Sequence, residues 1–274
     1  MIGEIIRHMN ALSDNDLEQI LEFQQQKGLL FGEAAVALNK ATPSDVAWAL
    51  SRKFDFAYPR GGSDTCDQEL VVARDPFCEQ AEAFRHLRSE LLSGVMGPHE
   101  KRRALAVVSP GRGDGRSFMA ANLAVAFSQL GQKTLIVDCD LRKPRLDKLF
   151  RIAAHLGLSS MLAGHRDGAM AVPAPGLDHL HVLTVGTLPP NPLELLHRGL
   201  IGPLFDDFLK TYDHVIVDTS AGNLGSDGCV AAAHCGAALV VGRQDMSTLQ
   251  ELDDVMTRLD KYAVTITGVL VNRH

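Results

Sequence analysis

The chain has 274 residues, of which 46% are hydrophobic and 22% charged, and its formal net charge is −6. This composition is typical of a globular protein with one large domain and room for a small accessory one, and the mild acidity argues against nucleic-acid binding, which needs a basic surface. No apolar stretch reaches the roughly 18 residues that span a bilayer, no signal peptide opens the chain and the cysteines form no CxxC pair, so we expect a cytoplasmic protein with reduced thiols and no zinc site.

The first part of the chain contains an internal repeat. The run Ile2-Gly-Glu-Ile-Ile recurs 29 residues later as Phe31-Gly-Glu-Ala-Ala. Ser13 and Thr42 occupy matching positions, and an aspartate follows each of them by three residues, which is the pattern of a capped helix start. Because helical units of this size bury little surface alone, each repeat needs the other. We therefore predict a small helical two-repeat docking module over residues 1–57.

Residues 58–75 open with a turn-forming Pro-Arg-Gly-Gly-Ser run and are predicted to be a linker. The helical stretch that follows places Glu82, Arg85 and Arg88 on one broad face. Taken alone, such a charged face is typical of a solvated surface. The remaining residues, 76–274, are assigned to a second and larger domain.

A glycine-rich loop, Ser109-Pro-Gly-Arg-Gly-Asp-Gly-Arg-Ser117, lies between two apolar runs. The run Ala104–Val108 predicts a buried strand, and residues 118–130 predict a helix that ends at Gly131. Strand, loop and helix in this order are the context of a phosphate-binding loop, in which backbone N–H groups turn toward an anion. The glycines that permit this turn are Gly111, Gly113 and Gly115.

The loop departs from the usual Gly-x4-Gly-Lys-Ser/Thr pattern at two positions. Pro110 occupies the place of the first glycine, and Arg116 replaces the lysine. Arginine keeps the positive charge and can bind two phosphate oxygens at once, but it is bulkier than lysine and not interchangeable with it. Ser117 stands where the loop hydroxyl would hold Mg²⁺. The alternative interpretation is a flexible glycine turn without a ligand.

Acidic residues follow two further predicted strands. The strand at 134–137 leads into Asp138 and Asp140, and the strand at 214–217 leads into Asp218, which has the form of a Walker B acid. Since ligands of open α/β sheets bind at the carboxyl ends of the strands, these acids and the glycine-rich loop point to a nucleotide site.

Two more strands, at 237–241 and 265–271, flank an amphipathic helix between Leu249 and Leu259. Alternating strands and helices predict parallel pairing with right-handed crossovers. The fold class is thus predicted to be α/β, a P-loop doubly wound and mostly parallel sheet similar to that of partitioning ATPases, preceded by the small helical domain.

Residues from about 76 onward resemble the bacterial tyrosine kinases (BY-kinases) that govern exopolysaccharide export, and above all their EpsG-type, chain-length-determinant-associated subgroup. The glycine-rich loop matches the Walker A sequence of the family. The other matching stretches are Asp138-x-Asp140-x-Arg142 (Walker A′), Gly186-Thr-Leu-Pro-Pro-Asn-Pro-Leu-Glu-Leu-Leu196, the helix with Glu82, Arg85 and Arg88, and Gly268-Val-Leu-Val-Asn272.

The resemblance implies ATP and Mg²⁺ as cofactors and gives roles to individual residues. The residues implied in nucleotide binding are Gly111, Arg112, Gly113, Asp114, Gly115, Arg116, Ser117, Phe118 and Asn272. The implied metal ligands are Ser117, Asp138, Asp140 and Asp218. The implied catalytic residues are Arg116, on the β- and γ-phosphates, Asp138, which would orient the tyrosine hydroxyl or accept its proton, and Asp140. Glu82, Arg85 and Arg88 would pack neighbouring subunits into a ring.

The N-terminal repeat resembles a module of type II secretion ATPases, some versions of which bind cyclic di-GMP. The arginine that precedes Leu-Gly in the nucleotide-binding versions is absent, since Leu30-Phe31-Gly32 stands in its place. The resemblance therefore favours protein docking by this module.

Three functions remain open: an ATP-dependent protein-tyrosine kinase working with a membrane polysaccharide co-polymerase, a partitioning-type switch ATPase, and a weakly catalytic nucleotide-binding adaptor. The kinase would form a homo-oligomer and be recruited to the inner face of the plasma membrane. Against the switch ATPase, Gly111 holds the place of the lysine that partitioning ATPases carry early in the loop. The adaptor is favoured by Arg116 and by Ser220-Ala221, where the family usually has Pro-Pro.

The acceptor tyrosine is also open. The chain has only Tyr58, Tyr212 and Tyr262, and they are separated, whereas many members of the family phosphorylate a tyrosine-rich tail on themselves. We therefore expect weak self-phosphorylation and a main acceptor on another protein.

Overall fold

The computed structural model describes residues 2–53, 66–153, 156–165 and 170–273. The chain divides into two compact units, Met1–Gly61 and Gly62–His274. Tyr58 and the glycines of the predicted linker lie outside the described residues. Within the described residues, no helix is long and apolar enough to cross a membrane.

The first unit is helical. Its helices are α1 (Ile2–Met9), α2 (Asp14–Lys27), α3 (Phe31–Ala37) and α4 (Pro43–Lys53). The predicted caps are present: Ser13 and Thr42 each accept a backbone N–H from the aspartate three residues on, at 3.2 Å. The apolar sides of the helices meet in a small core around Ile6, Ile20 and Ala49, so the repeats share one core as expected.

The second unit is built on one seven-stranded sheet with the strand order β3-β4-β2-β5-β1-β6-β7. The strands are β1 (Ala104–Val108), β2 (Thr134–Cys139), β3 (Val172–Pro173), β4 (Leu180–Leu183), β5 (His214–Thr219), β6 (Gly236–Arg243) and β7 (Thr265–Asn272). All neighbouring pairs are parallel except the short β3–β4 pair. The predicted mostly parallel, doubly wound α/β fold is confirmed.

Helices cover both faces of this sheet, and β1, β2 and β5 are buried along their whole lengths. Such burial explains why these strands are continuous apolar runs rather than alternating ones. The helices are α5 (Val71–Arg74), α6 (Glu79–Ser93), α7 (Arg116–Ser128), α8 (Leu146–Leu149), α9 (Leu158–Leu162), α10 (Pro192–Leu196), α11 (Ile201–Thr211), α12 (Asp227–Cys235) and α13 (Leu249–Lys261).

The structure differs from the expectations at three places. Helix α7 begins at Arg116 rather than at residue 118, because the Met119 N–H donates to the Gly115 carbonyl at 2.9 Å and closes the first turn there. Strand β4 was not predicted as a strand. Residues 66–75, expected in the linker, contain α5 and pack on α7, where the Val72 N–H donates to Asn122 Oδ1 at 3.0 Å.

Candidate nucleotide site

The three acids predicted at strand ends meet the glycine-rich loop at the carboxyl edge of the sheet. Strand β5 lies between β2 and β1, and Asp218 on β5 is in register with Asp138 on β2 and with Val107 on β1. The loop follows β1 directly, so parallel pairing alone brings the acids beside it.

Contacts from neighbouring strand ends fix the loop. Gly113 and Gly115 have φ angles of +89° and +99°, which glycine adopts without strain. The Gly113 carbonyl accepts a hydrogen bond from Arg243 Nη1 at 3.0 Å, and the Asp114 carbonyl accepts one from Asn272 Nδ2 at 3.1 Å. A side chain at Gly115 would meet Asn272 Nδ2 at 2.2 Å, so Asn272 requires glycine there. Inside the loop, Asp114 Oδ2 accepts the Gly111 N–H at 2.6 Å.

Arg116 is buried behind the loop, with 7% of its surface exposed. Its Nε donates to the Thr219 carbonyl at 2.9 Å, and its Nη1 donates to the Gly111 carbonyl at 2.6 Å and to Ser109 Oγ. Its Nη2 lies 3.9 Å from Asp140 Oδ2. The guanidinium thus ties the loop to the end of β5 and holds a positive charge beside the acids.

Asp138 is fully buried, and backbone N–H groups of the residues that follow it are its hydrogen-bond donors. Asp138 Oδ2 accepts the N–H groups of Arg145 and Leu146 at 3.1 and 3.0 Å, and Oδ1 accepts that of Asp140 at 3.1 Å. Burial and the nearby Asp218 carboxylate raise the pKa of Asp138, while the three N–H groups act in the opposite direction. Asp138 therefore anchors the turn that leads into α8.

Asp218 is equally buried but has no such donors. Among the described residues, neither of its carboxylate oxygens has a hydrogen-bond partner by distance and angle. Burial raises the pKa of Asp218 to about 6, although the Ser117 hydroxyl and the Arg116 guanidinium lower it part of the way. A buried carboxylate in this condition is costly unless something outside the chain completes it.

An open cavity of about 710 Å³ lies over the loop. Eight of the predicted residues line it: Arg112, Gly113, Gly115, Arg116, Ser117, Phe118, Asp140 and Asn272. The other four predicted residues at this edge, Gly111, Asp114, Asp138 and Asp218, are not in its wall.

The sequence prediction missed other residues of the cavity wall: Glu69, Gln80, Lys143, Pro144, Arg145, Lys148 and Arg243. Lys143 and Arg145 come shortly after the predicted acid Asp140, and Arg243 lies just beyond the strand predicted at 237–241, so the rule that ligands bind at strand ends could have pointed to these three. Glu69 and Gln80 had none, because they come from the segment before β1. The wall holds six arginines and lysines against two acids, which suits a polyphosphate.

Asp218 offers oxygen ligands that suit Mg²⁺, and the chemistry of its surroundings fits this ion. Mg²⁺ is usually bound by one or two carboxylates together with water and substrate phosphates rather than by a full protein cage. Consistent with that mode, the described residues contain no cluster of three or more His, Cys, Asp and Glu side chains placed to hold a metal alone. The predicted ligands Ser117 and Asp140 lie at the same edge.

The charged face predicted for subunit packing lies on α6, and all three of its members make contacts within the chain. Arg85 Nη2 pairs with Glu82 Oε2 at 2.6 Å, and Arg85 Nη1 also donates to the Pro76 carbonyl. Arg88 donates to the Ala126 carbonyl on α7. The Glu82 side chain is 71% exposed and is therefore the member most accessible to a neighbour. Subunit packing through this face stays a prediction.

Comparison with known proteins identifies the family. The kinase domain of the Escherichia coli tyrosine kinase Etk matches with a TM-score of 0.70 and 32% sequence identity, over 74% of this chain and 79% of that domain. The chain belongs to the bacterial tyrosine kinase family. No protein-family model matches this BY-kinase.

Two further similarities bear on the extent and the ligands of the BY-kinase chain. The tyrosine-protein kinase Wzc of Salmonella typhimurium is 31% identical over 204 residues, which are 74% of this chain but 28% of Wzc. The chain therefore spans less than a third of the length of that relative. The septum site-determining protein MinD from Pyrococcus horikoshii, solved with Mg-ADP, matches with a TM-score of 0.55 and 25% identity, over 63% of this chain and 70% of that one.

Proposed function

We propose that this BY-kinase is an ATP-dependent protein-tyrosine kinase that acts in exopolysaccharide synthesis with a membrane chain-length partner. The observation that carries the proposal is the buried Asp218, which receives no backbone N–H group and lies at the same sheet edge as a glycine-rich loop that lines a basic cavity. ATP with Mg²⁺ supplies both the cation for Asp218 and the phosphates for the cavity.

The loop is prepared to bind phosphates through its backbone. In a trans peptide the C=O of one residue and the N–H of the next point in opposite directions. Because Arg243 and Asn272 hold the carbonyls of Gly113 and Asp114, the N–H groups of Asp114 and Gly115 point the other way. These N–H groups and the N-terminus of α7 are the donors for the phosphate oxygens.

Ser117, Asp140 and Asp218 would hold Mg²⁺, which when bound neutralises charge that develops on the transferred phosphoryl group. Arg116 contributes a fixed positive charge behind the loop, and a direct contact with the β- and γ-phosphates stays a prediction. Such phosphoryl transfer depends on positioning and on charge stabilisation rather than on covalent chemistry by the protein.

Asp140 is the carboxylate that an acceptor tyrosine reaches first. It lines the cavity, whereas Asp138 does not. Asp140 Oδ1 accepts the Lys143 N–H at 3.0 Å, and Oδ2 faces Arg116 without a closer partner in the described part of the chain. We assign the orientation of the tyrosine hydroxyl to Asp140, and we assign to Asp138 the fixing of the turn that carries Asp140.

The acceptor is proposed to lie on another protein. Tyr212 is half-buried, and burial raises the pKa of its hydroxyl, while Tyr262 is 44% exposed at the end of α13. Neither belongs to a cluster that would raise the effective concentration of acceptors at the site. The helical unit Met1–Gly61 is proposed to dock the kinase to its export machinery, and the kinase is proposed to form a homo-oligomer at the inner face of the plasma membrane.

The likeness to MinD favours a switch ATPase as the second candidate function. One experiment separates the two: incubation with labelled ATP and Mg²⁺, with and without candidate membrane partners, scoring phosphotyrosine and free phosphate separately. We expect phosphotyrosine on a partner, its loss in Asp218→Asn, and its retention in the matched control Asp206→Asn, an exposed acid on α11. Free phosphate without phosphotyrosine would favour the switch ATPase, and neither product would favour the adaptor.

A further inference from the structure

We propose that the acceptor segment is acidic, and that Lys143 and Lys148 in the cavity wall bind carboxylates that flank the acceptor tyrosine. The proposal rests on the proposed kinase function and names the substrate class of the same site.

The cations between β2 and the end of α8 fall into two kinds. Arg142 pairs with the buried Asp227, and Arg145 Nη2 pairs with Glu69 at 2.6 Å. Lys143 and Lys148 are exposed, and within the described part of the chain no carboxylate lies within ion-pair distance of either. Both lysines line the cavity. Both lysines can therefore form ion pairs with carboxylates of another molecule.

The sheet order separates these lysines from the nucleotide end of the cavity. The glycine-rich loop follows β1, Arg243 and Asn272 end β6 and β7 on one side of it, and the lysines follow β2 on the other side. We place the nucleotide with its phosphates on the loop and its base on the side of Asn272, which the family resemblance implies in nucleotide binding, and this placement leaves the β2 side to the acceptor.

Lys143 adjoins the acid assigned to the acceptor hydroxyl. Its N–H donates to Asp140 Oδ1 at 3.0 Å, so residues next to a tyrosine bound at Asp140 come within reach of the lysine side chain. The turn is rigid because Asp138 holds the N–H groups of Arg145 and Leu146 and because Pro144 restricts the backbone of Lys143. The backbone that carries Lys143 is therefore fixed in the wall, and its exposed side chain can turn toward a ligand.

Exposed ion pairs are weak and are screened by salt, so two of them together give discrimination of roughly 2- to 30-fold at low salt. Such discrimination is enough to select among acceptor segments and is easily measured.

The test compares peptides with one tyrosine flanked on both sides by three glutamates, three glutamines or three lysines. KM for each peptide and for ATP is measured at low salt with the wild type, with the double variant Lys143→Glu/Lys148→Glu, and with the control Lys210→Glu/Lys261→Glu. The control makes the same charge change at exposed positions on α11 and α13. We expect the wild type and the control to show about tenfold lower KM for the glutamate peptide than for the glutamine peptide. The double variant should lose this preference or shift it toward the lysine peptide.

Equal KM values for the glutamate and glutamine peptides in the wild type would overturn the proposal. A double variant with a raised KM for ATP and an intact peptide preference would also overturn it, because the lysines would then serve the nucleotide. Fluorescence anisotropy of the labelled peptides gives the same comparison without phosphoryl transfer. Selective binding of the glutamate peptide to the wild type supports a site for acidic segments even where no phosphotyrosine forms. Selective binding without phosphotyrosine would count against the kinase function and not against this site.

Discussion

The ends of β2 and β5 carry two buried aspartates in matching register, and the two differ in the hydrogen-bond donors around them. Asp138 at the end of β2 receives three backbone N–H groups. Asp218 at the end of β5 receives no backbone N–H group among the described residues, and of the nearby side chains the Ser117 hydroxyl and the Arg116 guanidinium lower its pKa. The two side chains are equally inaccessible, so exposure cannot explain the difference.

Asp138 therefore fixes the backbone of the site, whereas Asp218 is the acid that we propose as a ligand for a cation. A buried carboxylate that accepts several N–H groups is a structural element, since those bonds offset part of the cost of burying the charge and fix the backbone that donates them. A buried carboxylate without donors destabilises the folded chain until a cation binds. Four predictions follow from this contrast, beginning with the largest effect.

The largest effect is expected on activity in Asp218→Asn. An amide cannot replace the charge that binds Mg²⁺, so phosphotyrosine formation should fall by a factor of about 100 or more. The measurement is the initial rate at saturating ATP and Mg²⁺, with Asp206→Asn as control. Retention of more than half of the wild-type rate would show that Asp218 is not the free ligand.

The next effect concerns Arg116, whose guanidinium lowers the pKa of Asp218. Arg116→Ala should cost on the order of 2–4 kcal/mol of transition-state stabilisation, by analogy with the loss of one preorganised donor. It should also move the acidic limb of the rate–pH profile to higher pH, because Asp218 then ionises less readily. Arg116→Lys keeps the charge and should leave that limb near its wild-type position. An unchanged rate in Arg116→Ala would refute the role of this residue.

The third effect is on the pH dependence of stability without Mg²⁺. The pKa of Asp218 is about 6 in the folded chain against an ordinary value of 3.8, so between these values the folded chain holds a proton that the unfolded chain has released. Asp218 therefore lowers the free energy of unfolding as pH rises through this window, by up to about 3 kcal/mol. Urea unfolding at several pH values should show Asp218→Asn gaining stability relative to wild type from pH 4 to pH 6. A difference that stays constant with pH would contradict the raised pKa.

The smallest effect is a difference in stability between the two asparagine variants at neutral pH. In Asp138→Asn one carboxylate oxygen becomes an NH₂ group and loses its backbone donors, which costs about 1–3 kcal/mol. In Asp218→Asn no backbone hydrogen bond is lost among the described residues. Chemical denaturation without Mg²⁺ should therefore find Asp138→Asn the less stable of the two. The reverse order would remove the distinction between the two acids.

Much of the second unit could be predicted because its information is local. The run Ala104–Val108, the glycine-rich loop and the acids after two apolar strands have recognisable spacing, and parallel pairing then brings them to one edge. Strand β4 was missed because its four residues include a histidine, His181, and no alternating pattern distinguishes them.

The functions of individual side chains could not be predicted in the same way. Asp138 and Asp218 look alike in the sequence, and only the turn at Arg145 and Leu146 gives donors to one of them. Arg116 resembles a phosphate residue in the sequence, whereas its three acceptors, Ser109, Gly111 and Thr219, come from two strand ends that fold together. Such contacts depend on tertiary packing, which spacing does not encode.

The central claim is that Asp218 lies ready to hold the Mg²⁺ of a bound nucleotide. Isothermal titration of ATP into the wild type and into Asp218→Asn, each with Mg²⁺ and with a chelator, tests it most directly. We predict that Mg²⁺ strengthens ATP binding to the wild type by at least about tenfold, or about 1.4 kcal/mol, and that Asp218→Asn loses this gain. ATP binding that is equally tight with and without Mg²⁺, or a gain that persists in Asp218→Asn, would contradict the claim.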